Sequence, residues 1–113
     1  MDGIEKTKAL VQTIIDLHEL NNFELLLSYI AEEEVKAATW FTRKRFTQVC
    51  EAIKNEIGHI TSLEYIGTLK RQNSYLTLWR ASYSKSRDEV LWQIIFDSTS
   101  HKIRLLHINW EQT

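Results

Sequence analysis

The stretch WQIIFDSTSHKIRLLHI, residues 92–108, decides the fold of this 113-residue chain. Apolar and β-branched residues fill both of its ends, and the polar run DSTSH separates them, as in two strands joined by a short turn. The same alternation occurs in HITSLEYIGTLKR (59–71) and SYLTLWRASYS (74–84), and EVLWQIIFD (89–97) extends the quoted stretch upstream. Four successive strands with short polar connections predict an antiparallel meander.

The first half of the chain has the period of helices. Val11, Ile14, Ile15 and His18 fall on one face of a first helix. A second, shorter helix is expected over FELLLSYI. The stretch AEEEVKAATW, residues 31–40, has no clear period, and we interpret it as a helix end followed by a loop.

A third helix has well-defined ends in the sequence. Thr42 is a natural N-cap, and Phe41 and Phe46 are spaced to form a hydrophobic staple, so the helix is predicted to begin at Arg43. Gly58 follows the last residue of its apolar stripe, where a left-handed cap belongs. Helices first and strands afterwards predict an α+β fold in a single domain over residues 1–113, with the helices packed on the concave face of a curved four-stranded sheet.

The composition excludes several functional classes. Hydrophobic residues make up 43% of the chain, charged residues 26%, and the net charge is −1, so no binding to nucleic acid or to a membrane surface is expected. Cys50 is alone, which rules out an internal disulfide and zinc sites built from several cysteines. No signal peptide or membrane span is recognisable, and a cytoplasmic location is the expectation.

The register of the strands determines which side chains meet the helices, because a shift of one residue reverses every side chain. We choose the register that makes one face most apolar. The residues predicted to point inward are Leu63, Tyr65, Gly67, Leu69, Thr77, Trp79, Ala81, Tyr83, Val90, Trp92, Ile94, Phe96, Ile103, Leu105 and His107. The residues predicted to point outward are Glu64, Ile66, Lys70, Leu76, Leu78, Arg80, Ser82, Glu89, Leu91, Gln93, Ile95, Arg104, Leu106 and Ile108.

The stapled third helix ending at Gly58 and the stretch WQIIFDSTSHKIRLLHI together carry a family resemblance. From about Ala9 to Trp110 the chain resembles the nuclear-transport-factor-2-like superfamily, and small bacterial domains of unknown function within it. The resemblance implies a cystatin-like cone. That superfamily includes isomerases, hydrolases and many non-catalytic ligand binders. No site motif of its enzymes matches positions of this chain, so the resemblance transfers no catalytic role.

The inward aromatic and histidine side chains are the candidate ligand pocket. Trp and Tyr provide apolar area with one polar tip, which suits a small apolar or aromatic ligand, but the same residues could fill a core. An enzymatic alternative, of isomerase or hydrolase type, would use His107 as a base with Tyr65 or Tyr83. The candidate pocket residues are Tyr65, Trp79, Tyr83, Trp92, His107 and His18.

Two other groups of residues are interpreted as structural. His59, His101 and His107 are scattered without metal-binding spacing, so no metal or cofactor is expected. Arg43, Lys44 and Arg45 could form an anion site at the start of the third helix. Successive helical side chains point about 100° apart and cannot converge on one ligand, which favours a solvated turn.

The outward sheet face is apolar enough to predict a homodimer, unless the C-terminal segment or residues 31–40 cover it. The predicted interface residues are Leu78, Arg80, Leu91, Gln93, Ile95, Arg104, Leu106 and Ile108. The leading hypothesis is therefore a non-catalytic domain that dimerises through its sheet and holds a small apolar or aromatic ligand, or a partner segment, in its cavity. The alternatives are the enzyme described above and an interaction module whose core is filled.

Overall fold

The computed structural model describes residues 2–110, with side chains from residue 5 onward, and has the predicted α+β architecture. The helices precede the sheet in the chain, and the sheet is an open antiparallel meander in the order β1-β2-β3-β4. The helices are α1 (Asp2–Glu19), α2 (Phe23–Leu27), α3 (Glu32–Ala37) and α4 (Arg43–Glu56). The strands are β1 (Ile60–Lys70), β2 (Ser74–Tyr83), β3 (Val90–Asp97) and β4 (Ile103–Asn109).

The start of α4 agrees with the sequence prediction. The Thr42 hydroxyl accepts a hydrogen bond from the backbone N–H of Arg45 at 3.2 Å, which satisfies one of the free donors of the first turn. The rings of Phe41 and Phe46 lie 5.8 Å apart and are both buried, so the hydrophobic staple is formed. The staple fixes the direction in which the chain enters α4.

The end of α4 requires a glycine. Gly58 has a φ of +88° and donates its N–H to the carbonyl of Ile53 at 3.0 Å. A Cβ at this position would lie 2.3 Å from the Ser84 hydroxyl, so a side chain would strain the backbone and force Ser84 to move.

Residues 31–40 contain more structure than the sequence indicates. We expected a helix end and a loop there, and the chain instead forms the short helix α3, which ends at Ala38 in the left-handed conformation, with φ of +50°. No described side chain of α3 is fully buried. Its position matters because it holds Glu34 beside the loop that leads into α4.

The core lies between the helices and the inner face of the sheet. Trp79 and Trp92 are 2% and 1% exposed, and the buried face of α1 packs against the same cluster. The His18 ring contacts Trp92 edge-on, with centroids 5.3 Å apart, and Phe46 at 5.1 Å, and so joins α1, β3 and α4. Burial alternates strictly along β3, as predicted.

The predicted register is wrong for most of β4. Ile95 pairs with Leu105 and Phe96 with Ile103, which leaves Arg104 as an extra residue in a β-bulge. Because a bulge inserts one residue, every side chain that follows it in the strand points to the opposite face of the sheet. His107 and Leu105 therefore join the outward face, whereas Leu106 and Ile108 turn inward, opposite Ile94 and Trp92.

The same error occurs in β1. Tyr65 pairs with Trp79 on the inner face as predicted, but the next pair is Gly67 with Leu78, so Ile66 is the extra residue. Gly67 and Leu69 consequently point outward, and the expectation that they point inward is wrong. A Cβ on Gly67 would meet no atom within 4 Å.

Candidate functional site

The centre of the cone is filled. Trp79 donates its indole N–H to the Thr77 hydroxyl at 2.9 Å, and Trp92 donates to the Tyr83 hydroxyl at 3.0 Å. Tyr65 packs on Trp79, with ring centroids 5.1 Å apart. Burial raises the pKa of Tyr83 to about 12. We expected these four aromatic residues to line a cavity. Their polar groups are instead hydrogen-bonded within the chain, and none of the four lines either of the pockets described below.

A pocket of about 350 Å³ lies beside this core, between α4, the loop before it and β4. Residues 105–110 all line the pocket. Since consecutive residues of a strand point to opposite faces, the pocket runs along the edge of β4 and not over one face. The apolar side chains that line it include Leu26, Phe41, Phe46, Val49, Leu106 and Ile108.

Two tryptophans line this edge pocket, and the indole N–H of each is hydrogen-bonded to a glutamate side chain. Trp40 donates its indole N–H to Glu34 at 2.9 Å, and Trp110 donates to Glu56 at 3.0 Å. Neither glutamate lines the pocket. Because the polar edge of each ring is already bonded elsewhere, the rings offer the pocket mainly their apolar surface.

The three cations at the start of α4 diverge, as the spacing of helical side chains predicts. Arg43 forms an ion pair with Glu24 and lies over the Phe23 ring, 4.7 Å from its centre. Lys44 does not line the edge pocket, whereas Arg45 does. The cluster is therefore not one site, but one of its members reaches a cavity.

A buried histidine forms part of the wall of the edge pocket. His18 is 7% exposed, and burial lowers its pKa to about 4. The Cys50 thiol donates to the backbone carbonyl of His18 at 3.3 Å and lies 3.6 Å from ring Nδ1. Burial raises the pKa of Cys50 to about 12, and Glu19 and Glu51 add to this effect. Both groups are neutral at neutral pH, so this pair does not activate a nucleophile.

The histidine–tyrosine pair of the catalytic alternative does not form. His107 is exposed and reaches the edge pocket from the outer side of β4. No tyrosine lines that pocket. The hydroxyl of Tyr65 contacts Thr68 at 2.5 Å, and the hydroxyl of Tyr83 is bonded within the core.

A second pocket of about 230 Å³ lies behind His18 and is more polar. Glu19 lines it and accepts from the backbone N–H of Ile60 at 3.1 Å. Its other carboxylate oxygen lies 3.3 Å from Nδ1 of His59. Among residues 5–110, no group of three or more His, Cys, Asp and Glu side chains is placed to hold a metal ion.

The outward sheet face has an apolar centre. Leu69, Leu76, Ile95 and Leu105 form a row across all four strands, and Leu78 lies in the next row between Gly67 and Gln93. Leu69 is 47% exposed. Of the eight residues predicted for a dimer interface, Leu106 and Ile108 do not belong to this face, because of the bulge at Arg104.

Ion pairs lie at both ends of the outward face. At one end Arg80 pairs with Glu64 and lies 3.3 Å from Glu89. At the other end the Arg104 Nε donates to Asp97 at 2.9 Å. Backbone N–H groups of the turn, first that of Ser100, together with Arg104 hold the pKa of Asp97 well below its usual range. The charges on this face are thus paired within one copy of the chain.

Comparison with known proteins does not identify a family. No family model matches the chain, and no curated protein shows significant similarity to it. In the part of the chain that the structure describes, no helix has the length and apolar character needed to cross a membrane.

The sequence predicted two of the residues that line the edge pocket, His18 and His107, as pocket residues, and it offered Arg45 for an anion site; it assigned Trp40 and Trp110 to no site. Trp40 and Trp110 lie outside the helices and strands, so no periodicity could assign them a face. Two large aromatic residues in connecting or terminal segments are a usable signal, because such side chains need a surface to pack against.

Proposed function

We propose that this protein binds a small, largely apolar molecule in the edge pocket, without catalysing a reaction. The observation that carries the proposal is a cavity of about 350 Å³ whose wall combines aliphatic side chains with two oriented indoles. Its volume is in the range of small-molecule sites, roughly 300–1,000 Å³. The flat indole surfaces favour an aromatic or planar ligand.

The proposal places the ligand at the mouth of the cone and not in its centre. The filled core supports this placement, because Trp79 and Trp92 leave their hydrogen-bonding groups satisfied and their rings buried. Membership of the nuclear-transport-factor-2-like superfamily is part of the proposal, and the order of helices and meander supports it. Cytoplasmic residence is also proposed, on the unpaired thiol of Cys50.

The test uses the four tryptophan side chains as reporters in a ¹H–¹⁵N spectrum. On titration with 2-naphthylmethanol, a neutral aromatic compound, we expect the indole resonances of Trp40 and Trp110 to shift. Those of Trp79 and Trp92 should move little, because these rings lie in the core and do not line the pocket. Tryptophan-to-phenylalanine variants assign the four signals.

A blocking variant and a matched control complete this test. Val49→Phe adds a ring to the pocket wall and should weaken binding, whereas Gln48→Phe, at the exposed neighbouring position, should not. If no indole shifts with any of a set of neutral aromatic compounds, the pocket is not a ligand site. Equal shifts of all four indoles would also contradict the proposal.

We further propose that two copies pair through the outward sheet face. The row of four aliphatic side chains supports an apolar contact, and the paired charges at both ends support a second copy of this chain as the occupant. Because each of those charged groups already has a partner of opposite sign within the protomer, the face does not demand a partner of opposite charge. An identical face can therefore meet it in a twofold arrangement.

The mass in solution tests the pairing. Light scattering at micromolar concentration should give twice the chain mass of 13.4 kDa. Gly67→Lys should halve that mass, because it places a charge on the outward face beside Leu78 without removing a side chain, and its Cβ would meet no atom within 4 Å. Gln48→Lys makes the same change of charge on α4 and should remain dimeric. A monomeric parent protein, or a dimeric Gly67→Lys variant, would refute pairing through this face.

A further inference from the structure

We propose that the ligand of the edge pocket carries a carboxylate and that Arg45 binds it at the rim. This inference rests on the proposed function and adds the chemical class of the ligand: an apolar, preferably aromatic, body with one anionic group. The observation behind it is the position of a single arginine among lining residues that are mostly apolar.

Arg45 differs from the other arginines of the described chain. Arg43, Arg80 and Arg104 each pair with a carboxylate. The remaining two, Arg71 and Arg87, do not line the edge pocket. Among the described residues, Arg45 makes no side-chain hydrogen bond or ion pair, so its donors face the pocket rim and solvent.

No carboxylate competes for this guanidinium inside the pocket. Glu34 and Glu56 are the acidic residues nearest the two indoles, and each accepts an indole N–H outside the pocket wall. His18 is neutral at neutral pH, because burial lowers its pKa to about 4. Arg45 is thus the one fixed charge among the described residues that line the pocket. A cationic ligand would be repelled, and an anionic one attracted.

The position of Arg45 on α4 strengthens the preference of the pocket for an anionic ligand. It lies in the first turn of a helix of 14 residues, where the helix dipole is positive. The guanidinium can donate two parallel hydrogen bonds to a carboxylate, which gives direction as well as attraction. The aromatic body of the ligand would then extend along the indoles toward β4.

The test compares two compounds of nearly the same shape by calorimetry at neutral pH and low salt: 2-naphthoate and the neutral 2-naphthylmethanol. The parent protein should bind 2-naphthoate about tenfold more tightly, the size of effect that a charge-assisted hydrogen bond gives at a partly solvated site. Arg45→Met keeps the apolar stem of the side chain and should abolish this preference, while binding of 2-naphthylmethanol changes less than about twofold.

Arg43→Met is the matched control, because Arg43 lies in the same turn but pairs with Glu24 away from the pocket. It should retain the preference for the anion. The inference on Arg45 is wrong if the parent protein binds both compounds equally, or if Arg43→Met loses as much of the preference as Arg45→Met. Binding of 2-naphthylmethanol would in those cases leave the pocket itself intact. If neither compound binds, the proposed function fails as well.

Discussion

The two central strands and the two edge strands of the sheet differ in how faithfully they follow simple alternation. In β2 and β3, inward and outward residues alternate as the sequence predicts, and Trp79 faces Trp92 across the ladder. In β1 and β4, extra residues interrupt the ladder, at Thr61 and Ile66 in β1 and at Arg104 in β4. Central strands are held on both sides, whereas an edge strand has one free side on which an extra residue can be accommodated.

This difference has a direct consequence for the site. The bulge at Arg104 turns His107 out of the core and brings Ile108 into it, so the histidine on which the catalytic alternative depended loses its inward position. It also aligns Leu105 with Ile95 in the apolar row of the outward face. One inserted residue thus weakens the case for an enzyme and completes the surface proposed for pairing.

The largest expected effect tests the bulge in β4. Ile108→Asn should lower the free energy of unfolding by about 4 kcal/mol, because it removes buried apolar volume and buries an amide. His107→Asn, one residue earlier, should change it by less than about 0.5 kcal/mol, as for an exposed side chain. Urea unfolding measures both values, and each variant is the other's control. Equal losses, or the reverse order, would mean that β4 has no bulge.

The next largest effect is on the pH dependence of the free energy of unfolding, which should depend on the buried His18 and not on the exposed His107. Burial lowers the pKa of His18 from 6.5 to about 4 in the folded chain. Between these values the unfolded chain binds a proton that the native chain does not, so the free energy of unfolding falls as the pH is lowered. The total loss from about pH 6.5 to about pH 4 is about 3 kcal/mol, and above pH 6.5 the group contributes no pH dependence.

Urea unfolding between pH 4.5 and pH 6.5 isolates this histidine, because carboxylates such as Glu64 and Asp97, whose pKa values are lowered, become protonated mainly below that range. His18→Leu should flatten the profile there. The exposed His107 is the control position, and His107→Gln should keep the parent slope. A His18→Leu variant with an unchanged slope would show that His18 is not buried as a neutral side chain.

The sequence contained a trace of the bulges at Arg104 and Ile66. In IRLLHI the two adjacent leucines break the alternation, and inward positions at Ile103, Leu106 and Ile108 fit a strand with one inserted residue. In EYIGTL the adjacent Tyr65 and Ile66 do the same. The pattern shows that one of two neighbouring apolar residues must leave the core. It does not show which one, because either residue of each pair is apolar enough to lie in the core.

The start of α4 illustrates a different limit. The run FTRKRF fixes the N-cap, the staple and the divergence of its three cations, all of which are local properties of a helix. Arg43 forms an ion pair with Glu24 because α2 lies beside the helix, and Arg45 lines a cavity because β4 lies nearby. No spacing within the run distinguishes these two arginines.

By itself the sequence determined most of the elements of this protein: helices before strands, the ends of α4, the meander and the directions in which the side chains of the central strands point. These follow from period, capping and turn chemistry, which act over a few residues. The tertiary structure decided that the cone is filled, that β1 and β4 bulge, and that an open pocket lies beside β4 with Arg45 at its rim. Such features depend on which distant surfaces meet and how completely they fill the space between them, and no local pattern encodes that.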